Sequence, residues 1–309
     1  MRGRVGFVWL SIDTEDARNA PFVEQSAIAG YLKFLVIDSV TERIALRWLG
    51  SLTVSQVDRL LDDAERAVAA IARPEASDAI VRADRLSTDG HAAEAVALNA
   101  EALAAERLSG PDRARAVESL VGAAGRADEA ERCATIAATE APAIERGPTF
   151  ASVVVSGFAC ATEAPDEGPW KAGAVTTLLP LVEETMGLET VLADDRSSIY
   201  GTLVAYRKSA GDDPGAKALA VQWLDFLEAE SAQAADVEAR AAFDSHRVAA
   251  ALGVGDPARA IPALEASERD LPDDYNPPAR LVILYRALPE TQRPKRLVEQ
   301  IEVKLAETG

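Results

Sequence analysis

The sequence predicts a mostly α chain: an α-solenoid of about ten helices preceded by a small α/β segment. Three observations carry that reading. Of 309 residues, 48% are apolar but only 5% aromatic, and Ala and Leu supply most of the apolar count, which suits close-packed helices better than a β-sandwich. Short β-branched runs with the period of a strand are confined to the first seventy residues or so. Beyond them, a glycine followed five positions later by alanine recurs in turn-like settings. The expected organisation is therefore an α/β segment over 1–73 and a helical domain over 74–309.

Taken in order, "GFVWLSID" and "FLVID" read as strands, and "RIALRWLG" alternates Ile44, Leu46 and Trp48 on one face as a third. Between the first two, "TEDARNAPFVEQSAIAGYLK" is long enough for a short helix in a parallel crossover, whereas "SVTER" is a turn-length link. Thr53 and Gln56 form a capping box, followed by Val54, Val57, Leu60, Leu61, Ala64, Val68 and Ile71 at helical spacing. The result is β-α-β-β-α over residues 5 to 72.

The run from "VWLSIDTED" through "AIAGYLKFLVIDSVTERIALRWLGSLTVSQVDRLL" resembles the C-terminal half of a thioredoxin domain, with Gly50 where that family keeps a glycine before its last helix. The resemblance implies a third strand, third helix, hairpin and final helix, as in bacterial thioredoxin-family proteins with a helical C-terminal region. It also marks departures. The family's Gly-x-Pro-Thr step carries a cis proline, but here Gly30-Tyr31 is followed by Leu32-Lys33. A cis bond to a non-proline residue costs about 2.5–4 kcal/mol, so Tyr31-Leu32 is expected trans. No Cys-x-x-Cys stands upstream, and the family strand that should lie between "GFVWLSID" and "FLVID" is missing, so these strands pair differently or keep bare edges.

From about Ser77 the patterning is helical throughout. Gly90 with Ala95, Gly125 with Ala130, Gly211 with Ala216 and Gly255 with Ala260 each suggest a Gly turn ending one helix and a small residue on the next that lets the pair pack closely. "GDPARAIPALEASERDLPDDYNPPARLVILYRAL" is similar to a tetratricopeptide repeat, and a degenerate resemblance to that family covers roughly residues 77 to 288. It implies stacked helical hairpins with a concave face for a peptide. Asp213-Pro214 and Asp256-Pro257 read as N-caps before a first-turn proline, "EAPDEGPW" as a loop, and Pro180 as a kink or break. The C-terminal stretch with Leu297, Ile301 and Leu305 reads as an amphipathic capping helix.

Chemistry is harder to find. "FDSHR" sets Asp244, Ser245 and His246 side by side, but helical neighbours point in different directions and make no relay. His91 is the only other histidine, so no metal site is expected. The pairs Asp62-Asp63, Asp194-Asp195, Asp212-Asp213 and Asp273-Asp274 read as helix starts or solvated faces. Trp223 and Phe226, three apart, read as core. Trp170, after a Gly-Pro loop, and Tyr275 in "DDYNPP" are the candidates for a peptide-binding surface. Cys133 and Cys160 lie 27 apart without a redox or zinc spacing and read as small buried hydrophobes.

With 50 Asp and Glu against 32 Lys and Arg, the net charge of -18 repels phosphate backbones and anionic lipid, which removes nucleic acid and membrane surfaces from the expected partners. The apolar start is too short and too acidic for a signal peptide, and "FASVVVSGFACA" falls short of the roughly 20 residues a span needs, so a cytoplasmic location is expected. The expected function is a non-catalytic protein-protein interaction module, without cofactor or metal, bearing a redox-inactive thioredoxin-like remnant that does not exchange disulfides. The alternative is the downstream part of a thioredoxin-family thiol-disulfide oxidoreductase.

Overall fold

The computed structural model describes residues 7–10, 12, 17–25, 33–40, 44–49, 57, 60–62, 64–65, 68, 79–88, 90–105, 108, 110–165 and 168–294. The chain is mostly helical, as its composition predicts. At the N-terminus a 3-10 turn over Ala17–Asn19 leads into α1 (Ala20–Gln25), and β1 (Lys33–Ile37) pairs antiparallel with β2 (Ile44–Leu49). Helical residues at 57, 60–62, 64, 65 and 68 mark α2. Ala45 of β2 is buried against Leu60 and Ala64 of α2, and Phe34 and Val36 pack on the same small cluster.

Among the described residues one expected strand does not form. Residues 7–10 of "GFVWLSID" carry no regular structure, and Val8, Trp9 and Leu10 are 85%, 50% and 76% exposed. A strand needs a neighbour to take its backbone N–H and C=O groups, and no ladder forms on the outer edge of β1 among the described residues. Two of the three predicted strands therefore stand, as a hairpin. Gly30, Tyr31, Leu32, Gly50, the Thr53/Gln56 capping box and the C-terminal helix around Leu297, Ile301 and Leu305 lie outside the described residues. No described peptide bond is cis.

Twelve helices follow among the described residues: α3 (Ala79–Thr88), α4 (Ala92–Ala104), α5 (Gly110–Arg126), α6 (Ala130–Glu140), α7 (Pro148–Glu163), α8 (Trp170–Thr185), α9 (Ala193–Ser209), α10 (Asp213–Ala232), α11 (Val237–Ala241), α12 (Asp244–Val254), α13 (Ile261–Asp270) and α14 (Asn276–Ala287). From α3 to α8 each helix packs on its chain neighbour and α3–α5, α5–α7 and α6–α8 pack as alternates; farther on, α10 meets α9 and α12, and α14 meets α12 and α13. One continuous apolar core runs from Ala83 to Leu288.

Several of the turns between helices share one device. Gly90, Gly211 and Gly255 adopt left-handed φ values of +88°, +77° and +80°. In each case the next residue's N–H reaches back to a carbonyl five residues earlier: His91 to Leu86, Asp212 to Arg207, Asp256 to Ala251. The predicted Gly125 turn is displaced. α5 runs through Gly125, and Asp128 takes the left-handed position at φ 59° while Glu129 N–H bonds the Ala124 carbonyl. Asp tolerates that conformation better than most side chains. Five residues past these four left-handed positions sits a small buried residue: Ala95, Ala216 and Ala260 after Gly90, Gly211 and Gly255, and Cys133, rather than Ala130, after Asp128.

Two further expectations shift. Asp212, not Asp213, caps α10, its carboxylate accepting from Gly215 N–H at 3.0 Å. Pro180 sits inside α8 without ending it. Pro180 is exposed, so the carbonyl it leaves unpartnered one turn earlier, on exposed Thr176, faces water.

α6 and α7 cross closely. A Cβ added to Gly157 would lie 2.1 Å from the Ala137 Cβ and 3.3 Å from Leu178 Cδ1. Gly157→Ala is expected to destabilise the chain by about 1–3 kcal/mol through overpacking, although alanine favours a helix by about 1 kcal/mol over glycine. Chemical denaturation measures the loss, and Gly157→Ala combined with Ala137→Gly should recover most of it.

Candidate functional site

α6 presents two stripes. Cys133, Ala134 and Ala137 point into the core, whereas Arg132, Thr135, Ile136, Thr139 and Glu140 face outward at the i, i+3, i+4, i+7, i+8 spacing of a single helical face. Over that outward face lie two depressions that share Thr135 and Ile136. One, of about 260 Å³, is bounded by Ala100 and Leu103 of α4 and Leu120 of α5. The other, of about 710 Å³, runs past the start of α6 and is closed by Ala164 and Pro165 beyond α7. Together they form a trough along α6.

The trough has an apolar floor and an acidic mouth. Ala100, Leu103, Leu120 and Ile136 line the floor; Asp128, Glu129, Glu131 and Arg132 surround the mouth. Arg132 is taken up by Glu129 at 2.7 Å, and Glu140 is held by two nitrogens of Arg113 at 3.0 and 2.7 Å. Among the described residues no cation pairs with Asp128 or Glu131. This mouth favours an approaching cation.

Behind the trough the structure corrects the reading of the cysteines as separate buried hydrophobes. Cys133 and Cys160 are joined in a disulfide, with Cα atoms 6.1 Å apart. α6 and α7 run antiparallel, so Cys133 meets Cys160 one turn from the Ala137–Gly157 crossing, and Ala130 and Ala164 follow one turn farther out, at the mouth. The missed signal was the left-handed Asp128: it sets Cys133 five residues past its turn, as Ala95, Ala216 and Ala260 stand past Gly90, Gly211 and Gly255. Closing a loop across 27 residues is worth about 3–4 kcal/mol on the chain-entropy model. Disulfides persist in oxidising compartments and in the cytosol are mostly transient or redox-sensing, so the bond bears directly on the expected cytoplasmic location.

The residues singled out from sequence are dispersed. Trp170 is half-buried at the start of α8, its ring folded over Gly168 and packed on the core. Tyr275 is 53% exposed at the start of α14. The two belong to different helical hairpins, and the structure does not gather them into one surface. Asp244 is fully buried in an ion pair with Arg247, which also reaches Ser231, while His246 turns away to Asp194 of α9 at 3.0 Å. Burial pushes the Asp244 carboxyl above its usual range, against the opposing influence of the nearby Ser267 hydroxyl and the charge of Arg247. Trp223 is buried, donating from Nε1 to Ser197 Oγ at 2.7 Å. Phe226 is half-buried and packs on Tyr200 with ring centroids 5.3 Å apart. His91 is exposed and bonded to Glu94 at 2.8 Å. Among the described residues no group of three His, Cys, Asp or Glu side chains is placed to hold a metal. No described helix is long and apolar enough to cross a membrane.

Comparison with protein-family models, with curated proteins and with solved structures finds no match to this chain. Its chemistry is therefore read from its own side chains, and the start of α9 offers a titration. Burial first, and the neighbouring Asp194 second, raise the Asp195 carboxyl to about 6. An unfolded Asp titrates near about 3.9, so the folded chain holds this proton more tightly. The corresponding stability is fully present below about pH 4 and is lost as pH rises through about 6. Asp195→Asn should remove that loss: melting temperatures measured across this range should fall for the wild type relative to the variant.

Proposed function

We propose that this chain is a non-catalytic protein-interaction module, a degenerate tetratricopeptide-like stack of helical hairpins that holds a peptide in the trough along α6. The observation that carries the reading is the trough itself, an apolar floor on a regular helical stripe with an acidic mouth. An extended or helical segment with an aliphatic anchor and flanking Lys or Arg fits both features. The net charge of -18 adds long-range attraction for such a segment. The N-terminal hairpin packed on α2 supports the further proposal of a thioredoxin-like remnant there, with no redox centre of its own. Trp170 and Tyr275, each on its own hairpin, are not required for the trough to bind.

A Leu- and Lys-rich peptide, titrated by fluorescence anisotropy against the full chain, tests this. Ile136→Glu is expected to weaken binding roughly tenfold or more, the size of effect seen for a central apolar anchor, with helicity unchanged by circular dichroism. Glu131→Lys should weaken it in a salt-dependent manner, and Tyr275→Ala should leave it unaltered. Equal affinity of the wild type and Ile136→Glu sinks the assignment.

A further inference from the structure

Cys133 is fully buried and Cys160 half-buried, so the two sulfurs of the disulfide are unequal. Gly125 of α5 lies beside them and is exposed. A Cβ placed on Gly125 would sit 3.5 Å from the Cys160 sulfur and 4.0 Å from that of Cys133. No Cβ therefore covers the flank of the bond on the α5 side, and that flank lies nearer Cys160 than Cys133. On the protein side, the Ser156 carbonyl oxygen lies 3.7 Å from the Cys133 sulfur, an acceptor in place for a thiol.

We propose that Cys133–Cys160 is a thiol-exchange site and that its oxidation state sets the shape of the trough. A small thiolate entering beside Gly125 moves into line with the S–S bond on the side of Cys160 away from Cys133 and attacks the Cys160 sulfur. A bond forms between the incoming sulfur and Cys160, the Cys133–Cys160 bond breaks, and Cys133 departs as a thiolate that takes a proton from water. A second small thiolate attacks the first one's sulfur in this mixed disulfide, releasing a small-molecule disulfide and the Cys160 thiolate. Two external thiols are oxidised and the protein disulfide is reduced to a dithiol.

Cys133 lies in the first turn of α6 and Cys160 in the last turn of α7, the turns next to the acidic mouth and the Ala164–Pro165 wall. Once the bond is cut, these turns are tied by the weak Cys133 S–H donor on the Ser156 carbonyl of α7 and, one turn deeper, by the Ala137–Gly157 crossing. With a weak hydrogen bond in place of a covalent one the outer turns loosen, the mouth widens and a peptide held there is released. This last step rests on the trough being the docking site; the exchange itself does not.

The full-length chain purified in air is treated with graded glutathione without denaturant, free thiols are counted, and peptide mass spectrometry locates the adduct. Expected are no free thiol at the outset, complete reduction without unfolding and a transient adduct on Cys160. Gly125→Val should reduce roughly tenfold more slowly, since access limits exchange, and Gly125→Ala at an intermediate rate. Free thiols in untreated protein, an adduct on Cys133, reduction only after unfolding, or equal rates for wild type and both Gly125 variants overturn the proposal. Hydrogen exchange at residues 129–136 and 161–165 should quicken severalfold on reduction and in the Cys133→Ala, Cys160→Ala double variant, with α12 unaffected. Unchanged protection overturns the coupling. If protection changes but a Leu- and Lys-rich peptide binds neither form, the exchange site and its coupling stand and the docking reading falls.

Discussion

The approach of α6 to α7 is the constraint on which the central part of the molecule depends. α7 buries Phe150 and Phe158 completely and packs on α5, α6 and α8, so its position sets theirs. The helix backbones come this close only because Gly157 has no side chain and faces the small Ala137. Interiors pack to crystal-like density, and one added methyl at such a seam has nowhere to go. The trough inherits its wall from the same seam, since Ala164 and Pro165 lie just past the end of the helix that the seam holds.

A chain with a formal charge of -18 must limit its own repulsion, and it does so with arginines that bridge helices. Arg113 joins α5 to Glu140 of α6, Arg207 joins α9 to Glu183 of α8, Arg196 joins α9 to Glu230 of α10, and Arg240 joins α11 to Asp270 of α13. Exposed pairs of this kind are individually worth about 1 kcal/mol or less. Their placement between elements nonetheless penalises misregister of one helix on the next. Asp244–Arg247 differs in being buried, where removing either partner would leave a charge without solvent.

The disulfide ties the chemistry to this architecture. The turns at Gly90, Gly211 and Gly255 place a buried alanine five residues after the left-handed residue, and the turn at Asp128 places Cys133 there. A cysteine serves the packing need as a small apolar residue and adds a bond whose formation depends on redox conditions. Exposed Gly125 covers that bond with no Cβ on the α5 side, beside a trough whose mouth the bonded turns define.

Much of the helical part was legible because its signals are local. The Ala- and Leu-rich composition, the left-handed glycines at 90, 211 and 255, and the core position of Trp223 each follow from propensity or spacing within a few residues. Gly125 misled because a glycine in a helix looks the same in sequence as one that ends it, and the left-handed residue was an Asp three positions on. "GFVWLSID" misled because its composition suits a strand but a strand exists only with a neighbour. The sequence by itself determined the helical class, the helix ends at Gly90, Gly211 and Gly255 and the acidic charge, all of which arise from local backbone preference and composition. Only the tertiary structure decided that Cys133 meets Cys160, that His246 turns to Asp194 rather than Asp244, and that α4, α5 and α6 enclose a trough, because these depend on which surfaces meet across long stretches of chain.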